Sequence, residues 1–278
     1  MISGRMRATL SGALFFAHSG CYSPQCSDGE SDCYEVKFGR YVALFPDRTN
    51  DDGTVNMLMH FHGYGSSAAK VSNKPWLRET AAKRGYLLVL PDGRNNTWAH
   101  VGSPSDARDE PPFIDAVMTD VADRWSLSDV RVVGGFSQGG SMAWDVACYR
   151  GDRFSAFIPA SGAFWEPLPT ACETPVPFRH THGTADGVVP IEGRPIGNSM
   201  QGDARLGFER WKAVNGCESE PDRIDENGDL SCEVWSECTS GLELQFCTHP
   251  GKHSVPDDFL PDALDWAELQ VGQSAEAE

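Results

Sequence analysis

Apolar and polar positions recur along this chain with two different periods, and the switches between them outline its elements. "YEVKFGRYVALF" (34–45) alternates as an antiparallel hairpin would, and "VNMLMHF" (55–61) is the apolar run of a buried strand. Residues 68–84 carry helical spacing, with Pro75 marking a break or a first turn. "YLLVL" (86–90) predicts the next strand, and a loop rich in Gly, Asn, Pro and Ser follows up to Pro112. Ile114, Val117, Val121 and Trp125 then recur at helical spacing. "VRVVGGF" (130–136) predicts a strand, and Met142, Val146 and Tyr149 continue on one face of a helix after it. "FSAFIPA", "PFRHTH" and "LELQF" supply further strands, with helices around Phe208–Trp211 and Leu260–Leu269. Strands alternating with helices predict a mostly parallel sheet with crossover helices. No internal repeat or Pro/Ser-rich linker divides the chain, and the acidic stretch from Cys217 to Cys238 is expected to be irregular.

Composition narrows the picture. With 278 residues, 40% of them hydrophobic, the chain suits one globular domain with a sizeable core. A formal charge of −17 argues against nucleic acid, anionic membrane and polyanionic substrates as partners. Arg5 and Arg7 precede the apolar "ATLSGALFFA", and "HSGC" ends at Cys21. Residues 1–20 therefore read as a secretory signal peptide, too short to span a bilayer as a mature helix. Ser19-Gly20-Cys21 also resembles a bacterial lipidation site, although His18 stands where an aliphatic residue is preferred. Cleavage there removes both arginines and no acid, taking the charge from −17 to −19. With Cys21 set aside, eight of the nine cysteines remain, an even number that in an exported chain reads as a disulfide framework of open connectivity.

Chemistry concentrates in "VGGFSQGGSM" (133–142), where Gly135-Phe136-Ser137-Gln138-Gly139 fits the nucleophile elbow G-x-S-x-G at the end of a strand. A serine hydroxyl needs a base, and the base an acid that orients it. "HGTADGVVP" places Asp186 in a loop after one strand, and "HPGKHSVPDDF" places His249 and His253 after another. His253 is favoured as the base, because a glycine precedes it by two residues and Pro256 and a helix start follow. The oxyanion needs preorganised N–H groups, expected from the backbone of Gln138 and of Tyr64 in "HFHGYGSS". His60-x-His62 and His180-x-His182 have ligand-like spacing, but turn-forming roles are expected instead, and no metal. "DENGD" (225–229) reads as a solvated acidic turn rather than a calcium loop.

The ordered set "HGYGSS", "LLVLPDG", "GFSQGGSM", "HGTADGVVP", "ERWKAVNGC" and "GKHSVP" resembles the secreted polyhydroxybutyrate depolymerase and feruloyl esterase family of α/β-hydrolases, across roughly residues 33–268. The resemblance implies the α/β-hydrolase fold, a mostly parallel central sheet flanked by helices without a large cap domain. It implies a secreted serine esterase acting through an acyl-enzyme, with Ser137 as nucleophile, Asp186 as acid, His253 as base and no cofactor. The implied partner is a small or oligomeric ester. Membrane contact would come only through a lipid on Cys21, and the oligomeric state is left open. Implied disulfides are Cys148–Cys172 and Cys217–Cys238, which leaves Cys26–Cys33 and Cys232–Cys247. The expected division is a signal peptide at 1–20, a short segment at 21–32, a catalytic domain at 33–272 and a tail at 273–278. The family often has tryptophan where Val255 stands, which bears on acyl specificity. Trp98 and Trp165 are candidate substrate platforms or simply packed residues. A serine peptidase of the same fold, or a binding protein on a hydrolase fold, are the alternative readings.

Overall fold

The computed structural model describes Cys26 and residues 32–276. The signal-peptide reading of residues 1–20, the Cys21 reading and most of the 21–32 segment lie outside the described residues. In chain order the strands and helices are β1 (Cys33–Val36), β2 (Gly39–Leu44), β3 (Val55–Phe61), α1 (Ala68–Ser72), α2 (Pro75–Lys83), β4 (Tyr86–Pro91) and α3 (Glu110–Arg124). They continue with β5 (Leu127–Phe136), α4 (Gln138–Arg150), β6 (Ala156–Ala160), β7 (Phe178–Gly183), β8 (Arg194–Ile196), β9 (Ser199–Gln201) and α5 (Ala204–Asn215). The chain closes with β10 (Arg223–Asn227), β11 (Leu230–Trp235), β12 (Leu244–His249) and α6 (Phe259–Glu276). Residues 273–276, expected as tail, thus belong to the last helix.

Ten strands form one sheet in the order β1-β2-β4-β3-β5-β6-β7-β12-β11-β10. The six central strands, β4 through β12, run parallel, and an antiparallel hairpin closes each edge. The central strands bury both faces, which is why their sequences read as continuous apolar runs. On β3, Met57, Met59 and Phe61 enter a core completed by Val117 of α3, Trp144 of α4 and Trp211 of α5. Leu58 points the other way, into a core with Val71 of α1, Leu77 of α2 and Leu264 of α6. The break at Pro75 is real: Pro75 opens α2, where its missing N–H costs nothing.

The stretch expected to be irregular is ordered. Residues 223–235 form the β10–β11 hairpin; Asn227 pairs with Leu230, so the turn is Gly228-Asp229, with Gly228 at φ +59°. Every residue of β10 is exposed, so no apolar alternation marks it; the ladder to β11 holds it instead. Only the Gly-Asp pair, a two-residue hairpin signal, could have revealed it. "DENGD" is this hairpin's turn region. Four disulfides, Cys26–Cys33, Cys148–Cys172, Cys217–Cys238 and Cys232–Cys247, are present and are the four pairs set out above. Among the described residues no helix is long and apolar enough to cross a membrane.

Candidate active site

β5 delivers its chain to the carboxyl edge of the sheet and reverses into α4 within one residue, Ser137. That residue has φ 61° and ψ −127°, a conformation an L-residue adopts only under constraint. The constraint is close packing of backbone on backbone. A Cβ on Gly135 would stand 2.1 Å from the Gly139 carbonyl oxygen, and one on Gly139 would stand 2.0 Å from that of Phe61. The Ser137 N–H donates to the Ala160 carbonyl of β6 at 3.0 Å, tying the turn to the next strand. The glycine pattern therefore serves a strained strand-to-helix turn that presents a serine.

Ser137 faces a cavity of about 740 Å³ that is also lined by His253. The His253 Nδ1–H donates to Asp186 Oδ2 at 2.7 Å, while Phe136 packs tilted against the ring, 4.8 Å between centroids. Ser137 and His253 form no hydrogen bond in this structure; such bonds are often long before substrate binds. Asp186 Oδ1 accepts the N–H groups of Val188 and Val189, at 2.8 and 2.9 Å. Burial pushes its pKa up, but the His253 bond and the two amides outweigh it and hold the carboxyl below its ordinary value. Asp186 is thus an anion shaped to receive one imidazole N–H.

A string of buried rings braces the Asp186 loop. The Trp144 Nε1–H donates to His180 Nδ1 (3.2 Å), His180 Nε2 lies 2.8 Å from His182 Nδ1, and His182 Nε2 lies 2.7 Å from the Val189 carbonyl. Indole can only donate and a carbonyl can only accept. Both imidazoles must then be neutral and carry their proton on Nε2. Burial drives the pKa of each below the ordinary histidine value, in keeping with that assignment. The string runs from the core on α4 to the loop that holds Asp186.

On the other side of Ser137 lies the loop after β3. A Cβ on Gly63 would be 3.4 Å from Ser137 Cβ, so this loop sits directly against the serine. His62 Nε2 accepts the Gly93 N–H at 2.9 Å, which leaves Nδ1–H to donate to the Gly63 carbonyl at 2.9 Å. The Trp98 Nε1–H donates to the His62 carbonyl at 2.8 Å. Among the described residues, neither the Tyr64 nor the Gln138 N–H has a protein acceptor, and Gln138 opens α4, where amides lack intrahelical partners. The Gln138 side chain bonds Thr97, linking that helix start to the Trp98 loop.

Two expectations need correction. Trp98 is 0% exposed and packs edge-on against Phe61, so it is no substrate platform; it props the loop beside Ser137 from below. Trp165 is buried as well, stacked over His100 at 6.3 Å, and does not line the cavity. Among the described residues the exposed aromatics at the cavity are Tyr64, named above only for its backbone N–H, and Trp76, which no motif pointed out. Val255 does line it. His249 does not contact Asp186: its Nδ1 accepts the Gly251 N–H at 3.1 Å and its Nε2 lies 3.1 Å from the Ser254 carbonyl, shaping the loop that carries His253. With their nitrogens engaged by Trp144, Gly93, Gly63, Val189 and each other, His62, His180 and His182 serve as internal hydrogen-bonding groups.

No protein-family model matches the chain. A probable feruloyl esterase C of Aspergillus clavatus is 31% identical over 162 residues, covering 55% of this chain and 56% of that protein. Feruloyl esterase D of Neurospora crassa is 26% identical over 253 residues, covering 85% and 82%. The chain spans less than three fifths of the length of the three relatives matched at 30% identity or more. Among solved structures, an acetyl xylan esterase from Aspergillus awamori superposes with a TM-score of 0.60 at 14% identity, covering 82% of this chain and 93% of that one. An S-formylglutathione hydrolase from Agrobacterium tumefaciens gives 0.54 at 13% identity, covering 84% and 90%. These likenesses show the α/β-hydrolase fold.

Proposed function

We propose, from the premise that the chain belongs to a feruloyl esterase-like family of α/β-hydrolases, that it is an exported serine esterase acting on carboxylic esters. The observation that carries this reading is the strained Ser137, set over a cavity shared with a histidine paired to a buried carboxylate. Ser137 Oγ attacks the ester carbonyl carbon while His253 Nε2 takes its proton. Asp186 holds His253 in the tautomer that leaves Nε2 bare and stabilises the imidazolium that forms. The N–H groups of Gln138 and Tyr64 receive the oxyanion. Collapse expels the alcohol, which leaves with the proton from His253. Water then attacks the acyl-enzyme with His253 as base again, releasing the acid and restoring Ser137. Four disulfides accord with an oxidising compartment and so with export.

The test is turnover of dissolved esters, from p-nitrophenyl acetate to hydroxycinnamate methyl esters, by purified protein and its variants. Ser137→Ala is expected to lose several orders of magnitude, since only binding and oxyanion stabilisation remain. Asp186→Asn is expected to lose about 10³–10⁴-fold by favouring the wrong tautomer. Near-normal turnover in Ser137→Ala would refute the reading.

A further inference from the structure

The cavity over Ser137 contains a polar side chain that the proposed chemistry does not use. His60 is the penultimate residue of β3, on the same face as Leu58, where that face meets the cavity. It is only 5% exposed. His62, His180 and His182, its buried neighbours in kind, all have hydrogen-bond partners. Among the described residues the His60 ring nitrogens have none. Neither nitrogen is among the polar atoms sealed from solvent without a partner, so the ring opens onto the cavity and is paired by whatever occupies it, water or a substrate group.

The surroundings hold the ring in place. Gly134, on the neighbouring strand β5, has no side chain where His60 lies: a Cβ there would be 3.3 Å from His60 Nδ1. Trp76 meets the ring at 82°, with 6.0 Å between centroids. Val71, Phe136 and Leu260 add apolar wall to the same cavity. Burial pushes the His60 pKa down to about 4, so the ring is neutral, with one N–H donor and one bare nitrogen acceptor.

We propose that His60 is a specificity-determining residue that hydrogen-bonds a hydroxyl carried on the apolar part of the ester, in its acyl or its alcohol half. A hydroxyl both donates and accepts, matching a neutral imidazole in either tautomer. The apolar walls accommodate the aryl or alkyl body that carries it. This deepens the esterase reading and rests on it. A site built around such a bond rejects a substrate that offers a methyl group in the same place, because the imidazole is then left unpaired.

The experiment measures kcat/KM for two pairs of esters that differ only by hydroxyl against methyl. Methyl 4-hydroxycinnamate against methyl 4-methylcinnamate tests the acyl half; 4-hydroxyphenethyl acetate against 4-methylphenethyl acetate tests the alcohol half. The full chain is expected to favour the hydroxyl about tenfold in one pair, which identifies the half. In His60→Leu that preference is expected to fall to about twofold or less, while His60→Gln, which keeps a donor and an acceptor, retains part of it. No preference in either pair, or a preference that survives His60→Leu, overturns the proposal. The same pairs, titrated calorimetrically onto Ser137→Ala with and without His60→Leu, give the affinity ratio without turnover. Loss of all Ser137-dependent hydrolysis would defeat the esterase reading, while the calorimetric ratio still decides the role of His60. Should His60→Leu not fold, His60→Gln in both measurements decides it: a reduced preference supports the proposal and an unaltered one overturns it.

Discussion

At the scale of single residues, the loop beside Ser137 is supported from outside the cavity. Trp98 is fully buried and does not line the cavity, yet its indole N–H is the donor that the His62 carbonyl receives. Phenylalanine fills most of the same space but cannot donate. Trp98→Phe is therefore expected to cost about 1–3 kcal/mol in stability, from a buried carbonyl left unpaired and the lost ring volume. It should also lower kcat more than it raises KM, because the loop holding the Tyr64 N–H loses its prop. Chemical denaturation and steady-state kinetics check the two halves separately. A variant with unaltered kcat would show that the loop keeps its place without the bond.

At the scale of elements, the β10–β11 hairpin stands out because its outer strand buries nothing. Leu230, Cys232 and Val234 of β11 make a small cluster with Cys247 of β12, apart from the two main cores. Cys232 and Cys247 are register partners on adjacent antiparallel strands, so their disulfide staples the hairpin where its apolar support is thinnest. The bridge closes 15 residues of sequence, worth about 3 kcal/mol in the chain-entropy account. Replacing both cysteines by serine is expected to lower stability by about that amount and to expose residues 217–238 to proteolysis first. Limited proteolysis followed by mass mapping reads this out. Equal resistance in the variant would place the hairpin's stability in its ladder instead.

For the whole molecule, the buried histidines set the response to acid. Burial lowers the pKa of His60, His62, His180 and His182 below 6.5, so the fold resists protons that the unfolded chain accepts. Stability from this source is fully present above pH 6.5 and is lost as pH falls from there towards the folded values, about 4 for His60. Between pH 8 and pH 5.5 the His60 ring alone is expected to cost about 1.4 kcal/mol, and the other three add to the loss in the same direction. Asp186 acts in a lower window: its depressed pKa contributes stability above the ordinary carboxylate value of 3.8, which is lost only as pH falls through the folded value. Urea unfolding at the two pH values tests the prediction, with His60→Gln expected to lose about 1.4 kcal/mol less than the parent chain. A flat profile between pH 8 and 5.5 would mean that the rings are not held neutral.

The strand and helix periods are local properties of the chain, and so is the order of the loops that bear Ser137, Asp186 and His253. These were legible because a two-sided buried strand must read as an apolar run, and because a turn that tight around Ser137 admits little but glycine. Packing between distant elements decided the rest. Nothing near Trp98 in sequence says that His62 waits behind it, and the local pattern that favours His253 as the base does not say that His249 braces its loop. The polar β10 carries no apolar period because its order comes from pairing with β11. His60 and His62 stand two residues apart at the end of one strand, yet Gly93 and Gly63 satisfy one ring and the cavity leaves the other open. A hydrogen bond needs its partner in place, and for a buried side chain that partner comes from wherever the fold brings the chain back.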